Sequence, residues 1–446
     1  MKKYDVFVFG TGIAGKVVAT NCAQAGLAVA IIDTREYGGT CSQRGCDPKK
    51  IMLAPVQAYE HASKMHGYGI ATMPVLDFGQ IHQYAKNYTQ GIPARTEEQL
   101  QDDGIACYHG EAVFKNANTI TLNGTAIYAK TFVIATGLIT RPLTIPGAEF
   151  LKEYDDFFKL QKAPEKVVFI GGGYIALEFG HMLARAGSKV TIIETDSRIL
   201  KNFEETVTLK LQKITEDLGV NIILNARASS VETIKGRYVV YYGKEDGIHQ
   251  VTANEVFNTA GRIPAVKSLK LERAGVVTSK TGVVVNEFMQ SISQPHIYAC
   301  GDVSSMGLPL TPLSSLQATT VANNILAKKE ELQLPAIPSA VFTIPQLAAI
   351  GLTEQQALQQ GHEITVLEND ASNWFNAGRI KSDGYQYKII LEKETRAILG
   401  AHIMGAAASD QINMFAIAMK AGMSMEDLES TMFIYPSWGN DILSYK

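Results

Sequence analysis

A glycine-rich strand-to-helix turn occurs twice in this chain, and the repeat constrains the fold more than any other feature. The first copy leads from the apolar run Tyr4 to Phe9 into Gly10-Thr11-Gly12-Ile13-Ala14-Gly15. Gly10 permits the tight turn, Gly12 lets backbone approach a pyrophosphate, and Gly15 lets the following helix pack closely. The free N–H groups and positive dipole end of that helix favour phosphate. A second apolar run, Ala28 to Ile32, ends on Asp33, placed to accept a bond from a ribose hydroxyl. The second copy leads from Lys166 to Ile170 into Gly171-Gly172-Gly173-Tyr174-Ile175-Ala176, and Val190 to Ile193 ends on Glu194 at the same offset. Ala176, a small residue, replaces the third glycine. Two such units predict two dinucleotide sites, one holding its cofactor tightly and one exchanging it.

Just after the first unit stands Gly38-Gly39-Thr40-Cys41-Ser42-Gln43-Arg44-Gly45-Cys46-Asp47-Pro48-Lys49-Lys50. Five cysteines in 446 residues do not make a disulfide scaffold. In a reducing compartment a close pair is catalytic or metal-binding. No His or Cys ligands accompany the pair in sequence, so a metal site is not expected. A helical arrangement of the segment brings the two cysteines within bridging range. Arg44, Lys49 and Lys50 favour thiolate and Asp47 opposes it. Cys22 and Cys107 stand alone and read as packing residues.

Length and a hydrophobic content of 46% suffice for about three domains, and alternating apolar runs and glycine turns argue α/β architecture. A net charge of −3 offers no basic patch for nucleic acid. Met1-Lys2-Lys3 precedes an apolar run too short for a signal peptide, and no stretch approaches the roughly 20 apolar residues of a membrane helix. The expectation is a cytoplasmic protein with neither nucleic-acid nor membrane partners.

With these residues the chain resembles the FAD-dependent pyridine nucleotide disulfide oxidoreductases, the group of glutathione reductase, dihydrolipoamide dehydrogenase and mercuric reductase. Further marks are Ala135-Thr136-Gly137, the segment Gly171 to Glu178, Gly261-Arg262-Ile263-Pro264 and Ala299-Cys300-Gly301-Asp302. The resemblance implies two Rossmann-type dinucleotide-binding domains plus a C-terminal α+β dimerisation domain: residues 1–140 as the first FAD segment, 141–265 as the NAD(P) domain, 266–335 as the FAD-domain return, and 336–446 for homodimerisation. Leu334 to Pro338 reads as a linker. Asn413 to Met423 is apolar enough for an interface helix. Gly10, Gly12, Gly15 and Asp33 are implied to grip FAD with Gly39, Thr40, Thr136, Gly137, Gly261, Arg262, Gly301 and Asp302. Gly171, Gly173, Ile175 and Glu194 are implied to take NADH or NADPH. Tyr174 resembles the gate over the flavin, Lys49 and Glu178 the ion pair beside its reactive nitrogen. Electrons are implied to pass from reduced nicotinamide through FAD to the Cys41–Cys46 disulfide, Cys46 facing the flavin and Cys41 the acceptor. Metal binding by the pair recedes accordingly.

The resemblance breaks at the C-terminus. Disulfide-reducing members carry a His-Pro-Thr segment followed by Glu, the histidine serving as acid and base. Here the stretch reads Phe433-Ile434-Tyr435-Pro436-Ser437-Trp438-Gly439-Asn440-Asp441, with Tyr435 at the histidine position and Asn440 at the glutamate position. A tyrosine, with a reference pKa of about 10, is a poor base near neutrality, whereas histidine titrates near 6.5. Four readings follow: a disulfide reductase using Tyr435 as a hydrogen-bond donor, a reductase of quinones or oxidised metals, a packing role for Tyr435, or a slow flavin redox sensor. Mercury is disfavoured, because no cysteine follows Cys300. The expected partner is a small-molecule electron acceptor. Glu194 favours NADH by repelling a 2′-phosphate, whereas Arg198 and Lys201 follow closely enough to bind one.

Overall fold

Val6, Phe7, Val8 and Phe9 show at most 2% of their surface, so the strand Lys2–Phe9 has no solvent face at that end. Continuous apolar burial of this kind belongs to the middle of a parallel sheet covered on both faces. Parallel partners lie on either side, Val29–Asp33 and Thr125–Ile134. The sheet runs in the order Ala106–His109, Val29–Asp33, Lys2–Phe9, Thr125–Ile134, Thr119–Leu122, Ala112–Asn116, and Ile297–Ala299 adds in parallel to the end of Thr125–Ile134.

The computed structural model describes all residues, Met1–Lys446. This first sheet belongs to a unit made of Met1–Met52, Gln83–Arg141 and Arg262–Leu334. Its core packs Phe7, Phe9, Phe114 and Phe132 with Val18, Cys22, Ile297 and Cys300.

The other unit comprises Leu53–His82, Pro142–Gly261 and Pro335–Lys446. It holds a four-stranded parallel sheet ordered Asn221–Ile223, Lys189–Ile193, Lys166–Ile170, Glu255–Asn258, and a three-stranded antiparallel sheet from Arg227–Ile234, Arg237–Lys244 and Gly247–Ala253. Its C-terminal part is a five-stranded antiparallel sheet ordered Ser339–Val341, Gln346–Gly351, Ile398–Gly405, Gln386–Glu392, Ile364–Asp370. Ile412, Phe415 and Ala418 of the helix Ala408–Ala421 pack into the core of that sheet. The helix was expected over Asn413 to Met423. It starts earlier because Ala408 and Gln411 are themselves buried, and it stops where Gly422 takes a left-handed conformation, φ 68°. No helix is long and apolar enough to cross a membrane.

Candidate functional site

The two glycine turns are built alike. Gly10 and Gly171 both adopt left-handed conformations, φ 101° and 109°, open to glycine at no steric cost. A Cβ on Gly10 would sit 2.3 Å from the Ala135 carbonyl oxygen, and one on Gly171 would sit 2.6 Å from that of Thr259. Helices Ile13–Gln24 and Tyr174–Arg185 start directly after the turns. In each copy the acid at the end of the second strand clamps the turn. Asp33 Oδ2 accepts from the Thr11 N–H at 2.8 Å and from its hydroxyl at 2.7 Å, while Oδ1 accepts from the Arg35 N–H at 3.0 Å. Glu194 Oε2 accepts from the Gly172 N–H and Oε1 from the Asp196 N–H.

Three distant motifs meet the first turn. A Cβ on Gly39 would lie 2.4 Å from Gly12 Cα, and one on Gly301 would lie 3.1 Å from the Ala14 side chain. Arg262 and Asp302 pair at 3.6 Å. Burial raises the Asp302 carboxyl above its ordinary value, against the pull of Arg262 and a Ser314 hydrogen bond. Next to Ala135 the Thr136 hydroxyl is buried with no protein partner. A buried polar group unsatisfied by protein marks a place where a ligand completes the bonding. Bare backbone at Gly10 and Gly12, a free helix N-terminus and the orphaned Thr136 hydroxyl fit a bound dinucleotide. Gly15→Ala tests that architecture. Its Cβ would fall 1.9 Å from the Gly10 carbonyl oxygen, and overpacking of this kind costs about 1–3 kcal/mol. A lower melting temperature and weaker dinucleotide binding are expected.

Cys41 lies in the helix Gly39–Arg44 and Cys46 opens the helix Cys46–Lys64. One continuous helix was the sequence expectation. It breaks at Gly45 because Pro48 has no N–H to return to the Arg44 carbonyl, and Gly45 lies so close to the Thr40 carbonyl that a Cβ would meet it at 2.9 Å. The break gives Cys46 the N-terminus of a helix, a setting that favours thiolate. Both cysteines carry free thiols, so this is the geometry of the reduced pair. Thr311, at the start of the helix Thr311–Ile325, donates its hydroxyl to Cys41 Sγ at 3.2 Å and lies 3.7 Å from Cys46 Sγ. The Cys46 thiol is brought down to about 6, first by the hydrogen bond from Cys41, then, against burial, by Thr311 and the charge of Lys49. Donation to Cys46 and burial push the Cys41 thiol far above its usual range. Cys22 and Cys300 are pushed up to about 12 and Cys107 to about 11, in each case chiefly by burial.

In the second unit, Tyr174 opens its helix, partly exposed, and Glu178 is buried, its Oε1 accepting from the Phe342 N–H at 2.8 Å. One turn on, His181 is fully buried. Ile344 N–H donates to its Nδ1 at 3.2 Å, so Nε2 carries the proton toward Thr215 Oγ1 at 2.9 Å. Burial and Arg185 hold that imidazole well below its ordinary value, hence neutral. Arg185 in turn pairs with Glu60 at 2.7 Å and donates to the Ile344 carbonyl at 3.2 Å. Glu178, His181 and Arg185 thus form one helix face that holds the segment Phe342 to Ile344. Arg198 donates to the carbonyls of Leu200, Lys201 and Phe203 and to Thr208, and Lys201 pairs with Asp196.

Tyr435 is 72% exposed, with its ring 6.4 Å from that of Phe375. Asn376 pins the loop behind it, donating to the Ser437 carbonyl and to Asp441, both at 3.0 Å. Gln411 adds a bond to the Trp438 carbonyl at 2.7 Å. Burial raises the Asp441 carboxyl, against the pull of Asn376.

Residues 4–322 match the pyridine nucleotide-disulphide oxidoreductase family, and residues 337–443 match its dimerisation domain. The chain belongs to this family. The dihydrolipoyl dehydrogenase of Geobacillus stearothermophilus is 31% identical over 444 residues, covering 98% of this chain and 94% of that protein. The mercuric reductase of Staphylococcus aureus is 31% identical, covering 97% of this chain and 80% of its own. Among solved structures, the HOCl-induced flavoprotein disulfide reductase RclA from Escherichia coli is 28% identical with a TM-score of 0.88, covering 99% of both chains. Its Cu(II) complex superimposes with a TM-score of 0.89 at 27% identity, covering 100% of this chain and 99% of that one.

The protein is therefore an FAD-dependent oxidoreductase that uses NAD(P)H. Its dimerisation domain supports a homodimer. Ile417, Met432 and Ile434 turn outward from that domain, 69%, 96% and 82% exposed. Sequence reasoning missed Thr311 and the His181–Arg185–Glu60 network. Thr311-Pro312 carried a helix-start signal, but nothing local tied it to the sulfurs.

Proposed function

We propose that this flavoprotein passes electrons from NADH through the Cys41–Cys46 pair to an acceptor that does not depend on a histidine proton shuttle. The carrying observation is Tyr435 at the family's histidine position, on a pinned and exposed loop. In this reading residues 1–140 and 266–335 form the FAD domain, 141–265 the NADH domain and 336–446 the dimerisation domain. Gly10, Gly12, Gly15, Gly39, Thr40, Thr136, Gly137, Gly261, Arg262, Gly301 and Asp302 hold FAD, and Asp33 supports both the turn and the ribose. Gly171, Gly173, Ile175 and Glu194 hold the nicotinamide coenzyme, with Tyr174 as gate and Lys49 and Glu178 as the pair at the flavin. FAD, when bound, supplies two-electron transfer between nicotinamide and dithiol. Cys46, with its lowered thiol value, is the flavin-facing sulfur, and Cys41 meets the acceptor. Anaerobic stopped-flow reduction by NADH, followed by steady-state assays on disulfides, quinones and metal ions, tests the proposal. Fast flavin reduction with poor disulfide turnover is expected. Efficient reduction of lipoamide or glutathione disulfide would return the protein to its relatives' chemistry with Tyr435 as the proton donor. Fast reduction without turnover on any acceptor would make it a redox sensor.

A second reading, Cu(II) as acceptor, is favoured by the RclA complex. NADH-dependent formation of Cu(I), followed with a Cu(I)-specific chelator and lost in Cys41→Ser, is its expected signature.

Preference for NADH rests on Glu194, whose charge repels a 2′-phosphate, and on Arg198, whose donors are spent on its own loop. Glu194→Ala should raise kcat/KM for NADPH relative to NADH by about 10-fold, the worth of about 1.4 kcal/mol. Arg198→Ala should leave the ratio unchanged. A ratio that moves with Arg198 and not with Glu194 would reverse the assignment.

A further inference from the structure

Each glycine turn is held by a buried threonine, and the two threonines come from different places. In the first turn it is the middle residue. The Thr11 hydroxyl donates to Asp33 Oδ2 at 2.7 Å and accepts from the Gly38 N–H at 3.2 Å. The second turn reads Gly171-Gly172-Gly173, so its middle residue has no side chain to offer. There the hydroxyl arrives from outside the turn, on Thr259, just past the strand Glu255–Asn258. Thr259 Oγ1 lies 3.0 Å from the Ile170 carbonyl and 2.9 Å from that of Gly171, sharing its one proton between them. The equivalent place in the first copy is Ala135, whose N–H bonds the Phe9 carbonyl at 2.8 Å just as the Thr259 N–H bonds that of Ile170 at 2.9 Å. Alanine has no hydroxyl to contribute, and Thr11 contributes one from inside the turn.

We propose that Thr259 is a positioning residue for the nicotinamide coenzyme: it fixes the Gly171–Gly172 peptide, so that the turn keeps its binding shape while the coenzyme is away. The inference rests on the reading above that this turn holds the coenzyme. One peptide unit is gripped at both ends. Its carbonyl oxygen, on Gly171, accepts from Thr259, and its N–H, on Gly172, donates to Glu194 Oε2. Carbonyl and N–H of a trans peptide point in opposite directions across one plane, so the two side chains together fix the plane where either alone leaves it a hinge. The grip matters because glycine gives the backbone its greatest freedom, and here three stand in a row. Gly173 follows directly and caps the helix Tyr174–Arg185, so rotation of the peptide re-aims the N–H groups that a pyrophosphate would meet. A site that is competent for only a fraction of the time loses affinity by that fraction. For a coenzyme that enters and leaves in each cycle, the loss recurs at every turnover, whereas a tightly held cofactor keeps its own turn in shape.

Anaerobic stopped-flow reduction of the FAD-loaded protein over a range of NADH concentrations gives an apparent Kd and a limiting rate separately. Thr259→Val keeps the shape and removes the hydroxyl, and Thr259→Ala supplies the residue that the first copy carries at this place. Both should raise the apparent Kd about 10-fold, as for a turn competent about a tenth of the time, with the limiting rate within about two-fold. Thr259→Ser, which keeps the hydroxyl, should hold the apparent Kd within about two-fold of the natural protein. An apparent Kd unchanged in Thr259→Val and Thr259→Ala overturns the proposal. So does an increase in Thr259→Ser equal to that in Thr259→Val, or a loss confined to the limiting rate. The coenzyme-site reading has its own readout in Gly173→Ala. Beyond its chain neighbours a Cβ there meets no protein atom within 4 Å, and φ −79° suits alanine, so the methyl group obstructs only what binds on the turn. An apparent Kd unmoved by Gly173→Ala overturns that reading, whereas one raised by Gly173→Ala and unmoved by both Thr259 variants overturns the role of Thr259 alone.

Discussion

Turnover on glutathione disulfide and on lipoamide is expected to fall about 10²–10⁴-fold below that of histidine-bearing relatives, the usual contribution of a positioned acid and base. Tyr435 has no ring nitrogen to take a proton near neutral pH, where histidine would. Flavin reduction by NADH should stay fast, because the half-reaction proposed for Tyr174, Lys49 and Glu178 does not use Tyr435. Steady-state assays on both disulfides, paired with stopped-flow reduction, separate the two half-reactions. The double variant Tyr435→His with Asn440→Glu should raise disulfide turnover by at least about 10-fold if proton transfer is what limits it. Efficient disulfide turnover by the natural protein would remove the basis of the claim.

Cys46→Ser should reduce acceptor turnover to background while FAD stays bound and NADH still reduces it. The yellow protein, reduced by two electrons, should show a long-wavelength band from the Cys46 thiolate that the variant lacks. Because the Cys46 thiol is brought down to about 6, the thiolate is present above that pH and is lost as pH falls through it. The band should fade accordingly between about pH 7 and 5, about one unit either side of that value. A band indifferent to pH across that range would mean that Cys46 is not the group observed.

Local patterns were the readable part of this chain. Both glycine turns, the strands that feed them and the acids that follow were visible because each occupies one short span with a fixed order of residue types. The break between Cys41 and Cys46 was also written locally, in Gly45 and Pro48, although spacing alone suggested one helix. Thr311 was opaque for a different reason. It reaches the sulfurs from another element, and no periodicity encodes that approach. Nearness of Arg198 to the strand end suggested a phosphate ligand, and what sequence did not show is that the chain folds its carbonyls back around the guanidinium. The network of His181, Arg185 and Glu60 needed a third segment, Phe342 to Ile344, to become visible at all.

Asp33 and Glu194 carry a lesson for anyone wishing to retune the coenzyme. Each carboxylate holds the N–H of the second residue in its turn and the N–H two residues beyond itself. Deleting the charge at Glu194 therefore also unfastens the loop on which an adenosine ribose would rest. A redesign toward NADPH has to keep both acceptor oxygens, which serve different N–H groups; even Glu194→Gln keeps only one of them, because its amide nitrogen would face an N–H donor. Specificity and loop geometry at this position are one inheritable part, and selection acting on either drags the other with it.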